Sequence, residues 1–144
     1  MDVNIDYQKL KTTIDRARVV NGHQFEYQNI TFNVFTHKHL KRDEKEGELP
    51  IFYINNSSTA DYDIYIATNV VKKEFRKPVL LHETLEAFLQ EYFCEEFDDY
   101  KASEMAHKIA IGYDEEYARE ILSDELFKEY LGLRQRLTGF FGNQ

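Results

Sequence analysis

The sequence predicts an α+β fold: an N-terminal helix, a small, mainly antiparallel sheet of three or four strands, and C-terminal helices packed on one face of it. Three observations carry this expectation. Residues 6–20 repeat apolar side chains at helical spacing. Between residues 25 and 68 the spacing changes to alternation, in runs separated by turn residues. From about residue 77 to residue 137 helical spacing returns without a strand signal. Strands gathered ahead of helices, rather than interleaved with them, favour antiparallel pairing.

Asp6 caps the first helix, in which Leu10, Ile14 and Ala17 recur about one turn apart, and Asn21-Gly22 stops it. Residues 28–36 form the first clear strand, with Ile30, Phe32 and Val34 on one face and Thr31, Asn33 and Phe35 on the other. Residues 25–27 add a short strand before it. Residues 37–48 read as a polar loop ending in Gly47-Glu48. A short strand over 49–54 is entered through Pro50, whose missing N–H suits a strand start or a sheet edge. After a turn at 55–60, residues 62–68 alternate, with Tyr62, Ile64 and Ile66 on one face. The second helix runs from Lys77 or Pro78 to about Phe97, with proline well placed in the first turn. Asp98 or Asp99 caps the third, which ends near Gly112. Asp114 caps a short helix through Leu122, and Ser123 caps the last, to about Leu137.

With 144 residues, 42% of them hydrophobic, the chain suits one domain, residues 1–144, with a core of its own. Its apolar runs are too short for a transmembrane helix. The acidic start, Met1-Asp2-Val3-Asn4-Ile5-Asp6, is unlike a secretory signal. A single cysteine, Cys94, excludes an intrachain disulfide and makes the cytoplasm the expected compartment. The net charge of −8 argues against nucleic-acid binding, which needs cations against phosphates. The basic patch of Lys38, Lys41 and Arg42 is diluted by Asp43, Glu44 and Glu46. Acidic residues concentrate in the second half, from Glu91 to Glu116, and read as a solvated helical face, which suits a protein or peptide partner.

The stretch Pro78-Val79-Leu80-Leu81-His82-Glu83-Thr84-Leu85-Glu86-Ala87-Phe88-Leu89 places polar residues in an apolar helix. His82 and Glu86 are four apart and share a face. A third ligand must come from another element. His107 supplies it if the second and third helices form an antiparallel hairpin. With the turn centred near residue 97, residues 86 and 107 lie 11 and 10 residues from it, at similar heights. Two imidazoles and a carboxylate suit zinc, with iron or manganese as alternatives. Glu115 or Glu116 is an alternative third ligand. Glu104 forms Glu-x-x-His with His107, the spacing of di-iron bundles, but the other helix carries the reverse order. The competing reading makes His82 and His107 satisfied core histidines, and Glu83 and Glu86 solvated or paired acids.

Residues 61–111 resemble the zincin-like metallopeptidase superfamily, in its small HExxE-type variants. The resemblance rests on the strand Tyr62-Asp63-Ile64-Tyr65-Ile66, on Val79-Leu80-Leu81-His82-Glu83-Thr84-Leu85-Glu86-Ala87, and on Ala106-His107-Lys108-Ile109-Ala110. It implies that His82 is the first metal ligand and Glu83 the general base. It also implies that the strand before the helix is an edge strand able to pair with an extended peptide. Glu86 stands where the second histidine of HExxH belongs. Together these readings predict a metal-dependent, peptidase-like hydrolase, with a non-catalytic protein-binding module, holding a structural metal or none, as the alternative. His37 and His39 read as solvated loop residues, His23 carries no role, and Cys94, among acidic neighbours that raise a thiol pKa, reads as a small buried hydrophobe. GxGxxG, phosphate-loop and GxSxG motifs are absent from the sequence.

Overall fold

The computed structural model describes residues 3–41, 48–49, 51–56 and 61–141, without the side chains of 41, 48, 49, 52 and 135–141. The element order is α1 (Tyr7–Arg16), β1 (His23–Tyr27), β2 (Ile30–His37), β3 (Leu40–Lys41), β4 (Glu48–Leu49), β5 (Ile51–Asn56), β6 (Asp61–Ala67), a 3-10 turn (Lys73–Phe75), α2 (Arg76–Phe93), α3 (Asp99–Ile121) and α4 (Asp124–Phe141). The fold is α+β, as the sequence predicts. The sheet has the order β1-β2-β6-β5. Its β1–β2 and β5–β6 pairs are antiparallel and its central β2–β6 pair is parallel. β3 and β4 form a separate antiparallel ribbon.

Asp6 caps α1 by accepting from the Lys9 backbone N–H at 3.1 Å, and Leu10 and Ile14 are buried. β1 and β2 join through Gln28-Asn29, both at positive φ (51° and 66°), the backbone of a type I′ hairpin turn. Alternation then sets the faces. Ile30, Phe32 and Val34 of β2 and Tyr62, Ile64 and Ile66 of β6 are buried together under the helices. One apolar cluster runs from Leu10 through the sheet and α2 to Leu133 of α4.

α2 lies at the centre and is buried on every side from Pro78 through Ala87. A helix buried all round is expected to be apolar all round. This one carries His82, Glu83, Thr84 and Glu86 instead. Arg76 ties the start of α2 to the segment that leads out of β6, donating from Nε to the Val71 carbonyl (3.0 Å) and from Nη2 to the Thr68 carbonyl (3.2 Å). α3 returns antiparallel, capped by Asp98, whose side chain accepts from the Lys101 N–H at 2.8 Å. Its buried face of Ala102, Ser103, Ala106, Ala110 and Ala118 lets the helices approach closely. Ser123 caps α4 through the Leu126 N–H at 3.2 Å.

Several boundaries differ from expectation. α1 ends at Arg16, α2 at Phe93, and α4 continues to Phe141. α3 does not end near Gly112, and Asp114 caps no further helix, because one helix spans Asp99–Ile121. Gly112 faces open space there and lowers helix stability by only about 1 kcal/mol relative to alanine. The strand before α2 is not an edge strand. β6 is hydrogen-bonded to β2 on one side and β5 on the other, which leaves β5 and β1 at the edges. Pro50, the turn over 57–60, and Arg42, Asp43, Glu44, Glu46 and Gly47 lie outside the described residues. No helix among the described residues is long and apolar enough to cross a membrane.

Candidate metal centre

The α2–α3 hairpin brings His82, Glu86 and His107 together, with one ligand atom from each lying within 4.8 Å of the others. His82 Nε2 is 2.8 Å from Glu86 Oε2, and His107 Nδ1 is 3.4 Å from the same oxygen. The two imidazole rings meet edge to face at 5.3 Å. His82 and Glu86 are 1% and 0% exposed, and the His107 side chain is 13% exposed. Tetrahedral bonds of about 2.0–2.1 Å space their donors roughly 3.3 Å apart, so these separations suit a single small cation.

The other nitrogen of His82 completes the arrangement. Nδ1 lies 2.5 Å from Oδ2 of Asp114, which is fully buried on α3. A carboxylate only accepts, so Nδ1 carries the proton and donates it. Nε2 faces Glu86 Oε2, and a cation there would displace the proton from Nε2 while Nδ1–H stays on a carboxylate, the usual outer-shell arrangement of a metal-bound histidine. Glu86 Oε1 has no hydrogen-bond partner among the described residues. The donor types, their spacing, the tautomer and this orphaned oxygen all fit a divalent ion.

Glu83 is fully buried beside this group, and neither of its oxygens has a hydrogen-bond partner among the described residues. Burial, and then the Glu86 charge, push its carboxyl up to about 8, against an opposing pull from His82. Burial works against the charged form of His82, but the Asp114 and Glu86 carboxylates outweigh it and raise the imidazole to about 10. Burial raises the Glu86 carboxyl, but bonds from His107 and His82 outweigh it, so its net shift is downward. Without an ion, the core therefore holds an imidazolium between two carboxylates and a protonated Glu83.

Two further elements reach this group. From edge strand β5, Tyr53 donates its hydroxyl to Gln90 Oε1. Burial, and next the Glu86 and Glu83 charges, hold that phenol well above its usual pKa. From α4, Arg134 Nη1 lies 3.3 Å from Asp114 Oδ1, and burial, then the Asp114 charge, hold the Tyr130 phenol well above its usual pKa.

The three ligands expected from the sequence thus come together. The alternative ligands do not join them. Glu104 is exposed and pairs with Lys101 at 3.6 Å, Glu115 pairs with Arg119 and Arg134, and Glu116 is exposed. His37 stacks on Tyr65 on the outer face of the sheet, and His39 bonds Asn69 at 3.1 Å. Cys94 is not a buried hydrophobe. α2 ends one residue before it, so it is exposed on the turn, donating to Asp99 Oδ1 at 3.4 Å. Asp114 is the residue that sequence reasoning missed. The stripe 103, 106, 107, 110, 114, 117 continues at helical spacing through it. Treating Gly112 as a stop conceals that register. Comparisons with protein-family models, curated proteins and solved structures find no match.

Proposed function

We propose that this chain is a zincin-like, metal-dependent hydrolase with peptidase-like activity, and that His82, Glu86 and His107 hold one divalent ion while Glu83 is the general base. Zinc is the preferred ion, with iron or manganese as alternatives. The observation that carries the reading is Glu83. A buried carboxyl without a hydrogen-bond partner costs a fold of order 1–3 kcal/mol and serves no packing purpose that leucine would not serve better. It sits one residue from His82 on α2, which is buried on every side from Pro78 through Ala87. The charge of a divalent ion on His82, Glu86 and His107 would favour the ionised form of Glu83, and a carboxylate so placed would take a proton from water and return it to a leaving amine.

Two imidazoles and one carboxylate are also the donor set of catalytic zinc in peptidases. Here one imidazole and the carboxylate come from α2 and the second imidazole from α3. Bound zinc supplies Lewis-acid activation of water and of a substrate carbonyl. The residues of the chain do the rest. Asp114 holds His82 in one tautomer, Glu86 adds a negative charge to the site, and Glu83 handles the proton. We place the activity in the cytoplasm, on peptide or protein substrates.

The near-complete burial of His82 and Glu86 favours a second reading, a protein-binding module of the same fold with a structural ion. The Glu83→Gln variant separates the two. A hydrolase retains the ion and loses cleavage of a peptide library, because glutamine cannot accept the proton. Cleavage retained by Glu83→Gln ends the hydrolase reading.

A further inference from the structure

We propose that Arg134 is a positioning residue of the metal centre: from α4 it holds Asp114 in the orientation that fixes His82, so the seating of the last helix sets the affinity for the ion. The metal part of this inference rests on the ligand set proposed above. The relay itself rests on contacts between three helices.

α4 is anchored beside the site. Tyr130 and Leu133 are buried, and Arg134 follows directly. The guanidinium reaches across to α3, where Nη1 donates to the Ile111 carbonyl at 3.0 Å and lies 3.3 Å from Asp114 Oδ1 and 3.6 Å from Glu115 Oε2. A backbone carbonyl of a helix is a fixed point, so the first of these contacts locates the group and the others use it. Asp114 then divides its oxygens. Oδ1 faces Arg134 and Oδ2 faces His82 Nδ1. With one oxygen held from each side, the carboxylate plane cannot rotate freely, and the direction of Nε2 is set from α4. Lysine preserves the charge, but its ammonium is more strongly hydrated and its flexible stem does not fix the nitrogen between the Ile111 carbonyl and Asp114 as the rigid guanidinium fixes Nη1.

An arginine that only neutralises Asp114, or only docks α4, makes different predictions. Outer-shell partners of metal-bound histidines are worth about 10- to 100-fold in affinity. Zinc titration should show Arg134→Gln weakened by that order and Arg134→Lys only partly restored. Lys101→Gln is the control. Lys101 pairs with Glu104 at 3.6 Å on the exposed side of α3, and its loss should leave affinity unchanged. The decisive arm is a double-mutant cycle with Asp114→Asn. If Arg134 acts through Asp114, the second substitution adds little to the first. Additive losses, or full restoration by lysine, overturn the proposal.

A nitrogen–proton correlation spectrum of metal-free protein tests the relay without the ion. The His82 Nδ1–H resonance should lie far downfield in the wild type and move upfield in both Arg134 variants, while thermal melts show that they remain folded. If the wild type binds no zinc, the metal reading falls and this spectrum alone decides the relay. An unmoved Nδ1–H resonance in both variants refutes it.

Discussion

Glu83→Gln should make the metal-free protein more stable, by an amount that grows with pH. The Glu83 carboxyl is raised from 4.5 to about 8, chiefly by burial. An acid with a raised folded-state pKa binds more protons folded than unfolded between those two values. Its contribution is therefore nil below pH 4.5 and increasingly unfavourable as the pH rises towards 8. At about 1.4 kcal/mol per pKa unit, the cost is about 1 kcal/mol at pH 5.5 and about 3 kcal/mol at pH 7. Glutamine has nearly the same shape and does not ionise, so it removes this cost and keeps the packing. The assay is urea unfolding of chelator-treated wild type and variant at pH 5.5, 6.2 and 7, with the midpoint and slope of each transition. The variant should gain stability at every pH, most at pH 7. A difference independent of pH, or a variant less stable than wild type, would show that Glu83 has a structural partner and would remove the argument for its catalytic use. A gain would place the chain among proteins whose site residues are kept at a cost in stability.

Metal affinity should rise with pH. Without an ion the His82 imidazole is raised to about 10, so at neutral pH the ion must displace its proton. One displaced proton gives roughly a tenfold gain in affinity per pH unit between pH 6 and 8, measurable by competition with a chelating dye. A flat profile would mean that His82 is not a ligand. Gly112→Ala should stabilise the protein by about 1 kcal/mol, read as a higher melting temperature, because the position is inside α3 and faces open space. A loss of stability would contradict an unbroken helix through residue 112.

The parts of the fold that were legible in the sequence are those written as periodicity. Alternation at Ile30, Phe32 and Val34 and at Tyr62, Ile64 and Ile66 identified the central strands and their buried faces. Counts of 11 and 10 residues on either side of a turn centred near residue 97 place Glu86 and His107 at similar heights, and the structure brings them together. Strand order was not legible, because alternation fixes which face of β6 is buried and says nothing about which strands lie on either side. Asp114 was hidden by a glycine that looks like a helix stop. Gly112 costs too little to end a helix whose other residues pack as well as these do. The isolation of Glu83 was also invisible, since a glutamate next to a histidine is on paper as well solvated as any other. Only the closure of the sheet, α3 and α4 around α2 removes its partners.

The most direct test of the account is the metal content of tag-free protein, measured by elemental analysis after purification and again after titration with zinc, iron(II) and manganese. The wild type should hold close to one divalent ion per chain, and His82→Ala and His107→Ala should lose it. A wild-type protein that takes up none of the three ions, while remaining folded, would contradict that expectation.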